Sequence, residues 1–189
     1  MADNAVISPT SFFSKTIGQN APSTDYHRGY LFQVILQALP GTGDSAGVGT
    51  GDTSLITYFI ASSQSPVETT GIVPVAWMNS EIKLGGQTKY APWSVTVRDD
   101  ATSLAYGYFK AWRRLVYETK SGQSSIPKDY KHSVDLYLLN NRGEQGRGYQ
   151  LVNAWPGEIG AMTLDYATEN IITFPISINF DEFIPLPKD

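Results

Sequence analysis

The sequence has no cysteine among its 189 residues, which excludes disulfides and thiolate metal centres and leaves nothing that argues for an oxidising compartment. It has only two histidines, His27 and His132, neither with a second ligand at metal-binding spacing, and no His-Glu-x-x-His pattern. Charged residues are sparse at 17%, leaving a rather uncharged surface of the kind that suits contact with other protein. The formal charge of -4 runs against nucleic acid as a bound partner, because phosphate affinity comes from clustered Lys and Arg. No stretch approaches the roughly 20 apolar residues of a membrane span. The opening Met1-Ala-Asp-Asn-Ala-Val6 lacks a basic segment followed by an apolar run, so the expectation is a protein made in a cytoplasm without a membrane anchor.

Catalytic patterns are missing as well. The glycines of Gly41-Thr-Gly-Asp-Ser-Ala-Gly47 are not followed by Gly-Lys-Ser/Thr, and the next segment reads as a strand where a phosphate cradle needs a helix N-terminus. There is no Gly-x-Ser-x-Gly elbow. Two carboxylate pairs could do acid and base work in principle, but Asp99 with Asp100 is accounted for by helix capping and Asp165 with Glu169 by a turn. Lys110, Arg113, Arg114 and Lys120 read as a solvated helix face, and no strand interleaves aromatic and basic residues as a single-strand binding platform would. The expectation is a protein without catalysis, cofactor or metal.

What is present is alternation. From Ile172 to Phe180 every second residue is Ile or Phe, with Thr, Pro, Ser and Asn between, which is the period of a strand buried on one face. Before it, Trp155-Pro156 reads as a turn, followed by Gly160 and an alternating run of Met162, Leu164 and Tyr166. Tyr30 to Leu39 predicts a strand with Phe32, Val34, Leu36 and Ala38 on one face and Gln33 and Gln37 on the other. Pro40 to Thr53 holds five glycines and predicts a long hairpin loop leading into a strand over Leu55 to Ala61. Gly71 to Gly86 predicts one or two short strands ending in a turn at Gly85-Gly86, and Trp93 to Arg98 another strand.

A single helix follows. Asp99-Asp100 supplies its cap, and Leu104, Ala105, Tyr108, Phe109, Trp112, Leu115 and Val116 fall on one face at helical spacing. His132 to Leu139 predicts a strand, Asn140-Asn141-Arg-Gly143 a turn, and Gly148 to Ala154 the next strand. Residues 1–29 form either a disordered tail or an arm that orders against a neighbouring subunit, and 30–189 the folded domain. The fold class expected is mainly β with one α-helix: an antiparallel β-sandwich or barrel flanked by that helix.

Several of these pieces, in this order, resemble the tail tube proteins of contractile-tailed phages of the T-even type. They are Leu31-Phe-Gln-Val34, Trp77-Met-Asn79 before Ile82-Lys-Leu-Gly85, Trp93-Ser-Val-Thr-Val97, Phe109-x-x-Trp112, Trp155-Pro156, Gly160, Leu164-Asp165-Tyr166 and Thr173-Phe174. The resemblance covers Tyr30 to Phe183; the arm and the Pro40 to Thr53 loop look longer than in the simplest members. It implies a structural virion protein: six-membered rings whose inner strands join into one barrel, stacked as a tube inside a contractile sheath. The implied partners are other copies of the chain, the sheath, baseplate and tail-terminator proteins, and genomic DNA that passes without specific binding. Assembly would take place in the host cytoplasm. Candidate contacts between subunits are Phe12 and Phe13 in the arm, Asp44 and Asp52 in the loop, and Phe183. A baseplate tube initiator, or the tube of a phage-like bacteriocin or injection system, is the nearest alternative. A monomeric barrel or sandwich that binds sugar or nucleic acid is the alternative of another class.

Overall fold

The computed structural model describes residues 28–36, 53–167 and 169–186, with the side chains of 53–55 left out. The arm with Phe12, Phe13 and His27, and the loop with Asp44 and Asp52, lie outside the described residues.

Eleven strands and three helices are described, in the order β1 (Phe32–Leu36), α1 (Thr53–Phe59), β2 (Ile60–Ser63), β3 (Glu68–Trp77), β4 (Ser80–Tyr90), β5 (Trp93–Arg98), α2 (Leu104–Val116), β6 (Tyr117–Glu118), β7 (Gln123–Ser124), α3 (Pro127–Tyr130), β8 (His132–Leu139), β9 (Gln145–Ile159), β10 (Thr173–Asn179) and β11 (Glu182–Leu186). All the pairings are antiparallel. The seven-stranded sheet runs β1-β8-β9-β10-β5-β2, with β11 also on β9. The strand that makes this possible is β9. Its first part pairs with β8 and β11, its last part with β10. Between the two parts Asn153 takes a left-handed backbone (φ 57°), and the strand changes partners there. One half, β1-β8-β9-β11, and the other, β9-β10-β5-β2, close over a common core.

Period-two alternation fills that core. Val34 and Leu36, Val134 and Leu136, and Leu151 come from one half; Trp93, Val95, Val97, Phe174, Ile176 and Ile178 come from the other. Helix α2 adds Ala105, Tyr108, Phe109 and Trp112, all buried, while Lys110, Arg113 and Arg114 face water. Trp112 is 1% exposed and its indole N–H donates to the Tyr130 carbonyl at 2.7 Å, so the buried ring leaves no polar atom unpaired.

The mainly β class holds, and several expectations are corrected. Leu55 to Ala61 is not a strand: helix α1 runs to Phe59, and its Ile56 is buried in the core, so packing overrides the β-forming composition. With α1 and α3, α2 is not the only helix. Gly85-Gly86 is no turn; both lie inside β4, at the bulge where Thr70 and Ile72 shift register, and a β-carbon on Gly71 or Gly86 would press on the facing backbone at 3.1 Å. Trp155-Pro156 is likewise inside a strand, at the bulge of β9 against β10, and 161–167 forms no strand: Leu164 and Tyr166 project into solvent. The helix cap is also subtler than a simple Asp cap. Ser103 occupies the cap position in a left-handed conformation without capping, and Asp100 reaches past it to accept from the Leu104 N–H at 2.8 Å.

Candidate assembly surfaces

Three surface features carry apolar or backbone groups that a lone chain leaves unsatisfied. The first is the hairpin β3–β4. Its register puts Val73 opposite Leu84, Val75 opposite Ile82 and Trp77 opposite Ser80, so five large apolar side chains share one face, while Glu81 and Lys83 lie on the other. All five are exposed, Trp77 by 64%. No other described element packs substantially against the hairpin. At its root, Tyr90 meets Phe180 and Phe183, each at 5.7 Å between ring centroids, and anchors the projection to the core. An isolated two-stranded ribbon is marginal in water, so an amphipathic one is built to be covered.

The second feature is the outward face of β1-β8-β9-β11. Two rows cross it: Gln33, Tyr137, Gly148 and Leu186, and Ile35, Asp135, Gln150 and Ile184. The Gln150 amide donates to Asp135 at 3.0 Å, and the Gln145 amide to Gln33 at 3.2 Å. Tyr137 lies so close over Gly148 that a β-carbon there would strike its ring. No Lys or Arg holds a paired position in these rows; Arg147 instead lies over the Tyr149 ring, 5.1 Å from its centroid. The rows end on β1 and β11, each with one partner strand among the described residues. Such an edge offers its free N–H and C=O groups to another strand.

The third is a cavity of about 760 Å³ in the connection between β9 and β10, walled by Leu164, Tyr166, Ile171 and Ile172 with Thr163, Asp165, Asn170 and Thr173. Asp165 accepts from the Ala167 N–H at 2.9 Å, which holds the turn that was expected of it.

Of the candidate contacts between subunits, Phe183 alone falls in the described part. It sits half-buried in the aromatic cluster with Tyr90, Tyr149 and Phe180. The hairpin face was missed, although its signal was present: Val73, Val75 and Trp77 alternate, Ile82 and Leu84 alternate in return, and Met78-Asn79 is long enough for a two-residue turn.

Ionisable groups serve structure at these sites. The Thr102 hydroxyl, with the backbone N–H groups of Leu104 and Thr102, holds the Asp100 carboxyl below its usual range. Lys131, 2.8 Å away, and Asn153 do the same for Asp181, tying the start of β8 to the β10–β11 corner. Burial lowers His132, whose Nε2 is enclosed without a partner and whose ring lies 6.0 Å from Trp112. Burial raises Tyr108. No group of three or more metal-ligating side chains occurs among the described residues.

Residues 61–184 match the sequence model of the T4-like virus tail tube protein gp19. The tail tube protein gp19 of Enterobacteria phage T4 is 25% identical over 166 residues, covering 84% of this chain and 91% of its own. Among solved structures, the sheath/tube terminator of an extracellular contractile injection system, PVC, superimposes with a TM-score of 0.62 at 13% identity, over 87% of this chain and 99% of that one. The tube-terminating cap of the anti-feeding prophage gives 0.62 at 14% identity, over 90% and 98%.

Proposed function

The chain belongs to the T4-like virus tail tube protein family and is a structural component of a phage tail tube, and we propose that it acts as six-membered rings stacked into a DNA conduit. The observation that carries this reading is the β1-β8-β9-β11 face, which ends at either side on a strand with a single partner among the described residues and has no cation in its paired rows. Edge β1 of one copy pairing with edge β11 of the next would extend the sheet from subunit to subunit. Four strands from each of six copies would close a barrel far too wide for side chains to fill, and so leave a channel. A head-to-tail contact that closes into a ring leaves no strand edge exposed.

The outward rows would then line that channel. Gln33, Tyr137 and Gln150 offer neutral polar groups, and Asp135 a negative one. Moving DNA would find no positive charge to displace its counterions, so it would slide without being held. The role needs no catalysis, metal or cofactor. The sheath, baseplate and terminator proteins are the further partners of this reading, the virion tail is its location, and the host cytoplasm its place of assembly. Residues 1–29 and Phe183 would contribute to contacts between copies.

Electron microscopy of the purified chain tests this directly. Rings or tubes with a central channel are expected as concentration rises. A chain that stays monomeric at high concentration, and forms no tube when sheath or baseplate is supplied, refutes it.

A further inference from the structure

The path of the seven-stranded sheet has two ends, β1 and β2, which do not pair with each other. At the seam between them lies a second cavity, of about 520 Å³, walled by Tyr30 and Phe32 on the β1 side, Tyr58 of α1, Ile60 and Ser62 of β2, and Arg98 at the end of β5. Tyr30 and Tyr58 leave most of their surface exposed there. A volume in the roughly 300–1,000 Å³ range encloses a drug-sized ligand, so two adjacent phenyl side chains fit.

We propose that Phe12-Phe13, from the chain's own N-terminal arm, seats in this cavity in the free subunit and covers the outer edge of β1, so that a lone copy is closed to coupling until the arm leaves. The docking stands on the seam itself; the closing of the coupling edge rests on the reading of the chain as a tube subunit whose β1 pairs with the next copy. Residues 1–27 lie outside the described part and join it at Arg28, two residues before Tyr30 on the cavity wall. The Leu31 N–H donates to the Arg28 carbonyl at 2.9 Å, so the chain turns there and does not run on as an extension of β1. The Arg28 guanidinium donates to the Tyr30 hydroxyl at 3.0 Å and ties the root of the arm to that wall.

Reach and chemistry select the occupant. Fifteen residues separate Phe13 from Arg28, a span of up to about 50 Å, which is ample for a return to the seam. Phe12-Phe13 is the one pair of adjacent aromatic residues in the arm, and Ser11 to Ile17 around it holds no glycine or proline, so it can lie along an open strand edge. Charge agrees: Arg98 is the one charged side chain among the described residues of the wall, and the arm carries Asp3 and Asp25 against Lys15. A segment tethered this way meets its site at an effective concentration on the order of mM, which a separate partner would have to exceed. Even a contact with a dissociation constant of about 0.1 mM then keeps about nine chains in ten closed.

The absence of native cysteine makes the test clean. Ser14→Cys, beside the Phe pair, and Ser62→Cys, exposed on the cavity wall, are combined in one chain and treated, dilute and unassembled, with a short bis-maleimide that carries a reducible bridge. An intrachain link at monomer mass is expected, forming about tenfold more slowly when Phe12 and Phe13 are both changed to Ser. The linked chain should form no tubes when concentrated, and reducing the bridge should restore them. The docking is overturned if no intrachain link forms, if the link joins two copies, or if Ser45→Cys with Ser62→Cys links in its place, which would make the segment between β1 and α1 the occupant. Linked chains that assemble as readily as the untreated variant overturn the closing of the edge. An unmodified chain that forms no tubes under any condition overturns the tube reading and the closing together, while the intrachain link still decides the docking.

Discussion

Replacing Trp112 with alanine separates core from interface on helix α2. The ring is 1% exposed, stands 6.3 Å from Phe109 and 6.1 Å from Tyr108 between centroids, and donates its N–H to the Tyr130 carbonyl. Truncating a buried aromatic side chain to alanine costs about 3–5 kcal/mol. The lost hydrogen bond belongs towards the low end of the roughly 1–3 kcal/mol for an orphaned buried group, because Tyr130 is only half-buried and its carbonyl recovers water. The total is a large share of the roughly 5–15 kcal/mol that holds a typical domain together. With a urea slope of about 1–3 kcal/mol/M, the midpoint should fall by about 2 M. The measurement is urea unfolding followed by circular dichroism, at a concentration where the chain is unassembled. Trp112→Phe keeps most of the contacts and should recover most of the loss. If Trp112→Ala unfolds within about 1 kcal/mol of the parent, which is what a surface change costs, yet fails to assemble, the stripe is an interface and its assignment to the core is wrong.

Other perturbations read other parts of the structure. Asp100 has a folded pKa below the unfolded 3.8, so its contribution to stability is present above that value and is lost as pH falls through the folded one; Asp100→Ala should flatten acid unfolding there, and an unchanged acid limb counts against the cap. His132 is lowered from 6.5 by burial, so the unfolded chain takes up its proton first and stability should decline as pH drops below 6.5; His132→Phe should remove that slope, and a slope that persists refutes the assignment. Tubes should show negligible affinity for duplex DNA even at low salt, whereas Gln150→Lys should create binding that weakens steeply with salt; tight, salt-sensitive binding by the parent would refute the conduit reading.

The elements that follow one period without interruption were legible in advance. Strands β5, β8 and β10 and helix α2 each bury one face of a continuous alternation or stripe, and their ends agree with the sequence pattern within two residues. Helix α1 was hidden because Leu55-Ile-Thr-Tyr-Phe-Ile60 has the composition of a strand, and only the core around Ile56 decides otherwise. The length of β4 was hidden by Gly85-Gly86, a pair that reads as a turn but lies within the strand, where Gly86 serves a close approach to the Gly71 backbone. Trp155-Pro156 misled for a related reason: proline is tolerated in β9 because it sits where the ladder is already bulged. The outward rows of Gln33, Asp135 and Gln150 could not be assembled from the sequence at all, since nothing local states that β1 lies beside β8.

That pairing also sets when, during synthesis, the sheet can close. Phe32 waits for Leu138, about 100 residues later, and no nearer strand substitutes for it. Closing so long a loop costs only about 0.6 kcal/mol more for each doubling of its length, so the delay is kinetic and not a lasting loss of stability. On a ribosome adding about 5–20 residues each second, β1 emerges several seconds before its partner exists. Throughout that interval, the strand whose edge would join one subunit to the next has no finished sheet to present it. If β1 is the coupling edge of the proposed ring, translation order builds in a pause: nascent copies would be unable to couple before each has closed its own fold.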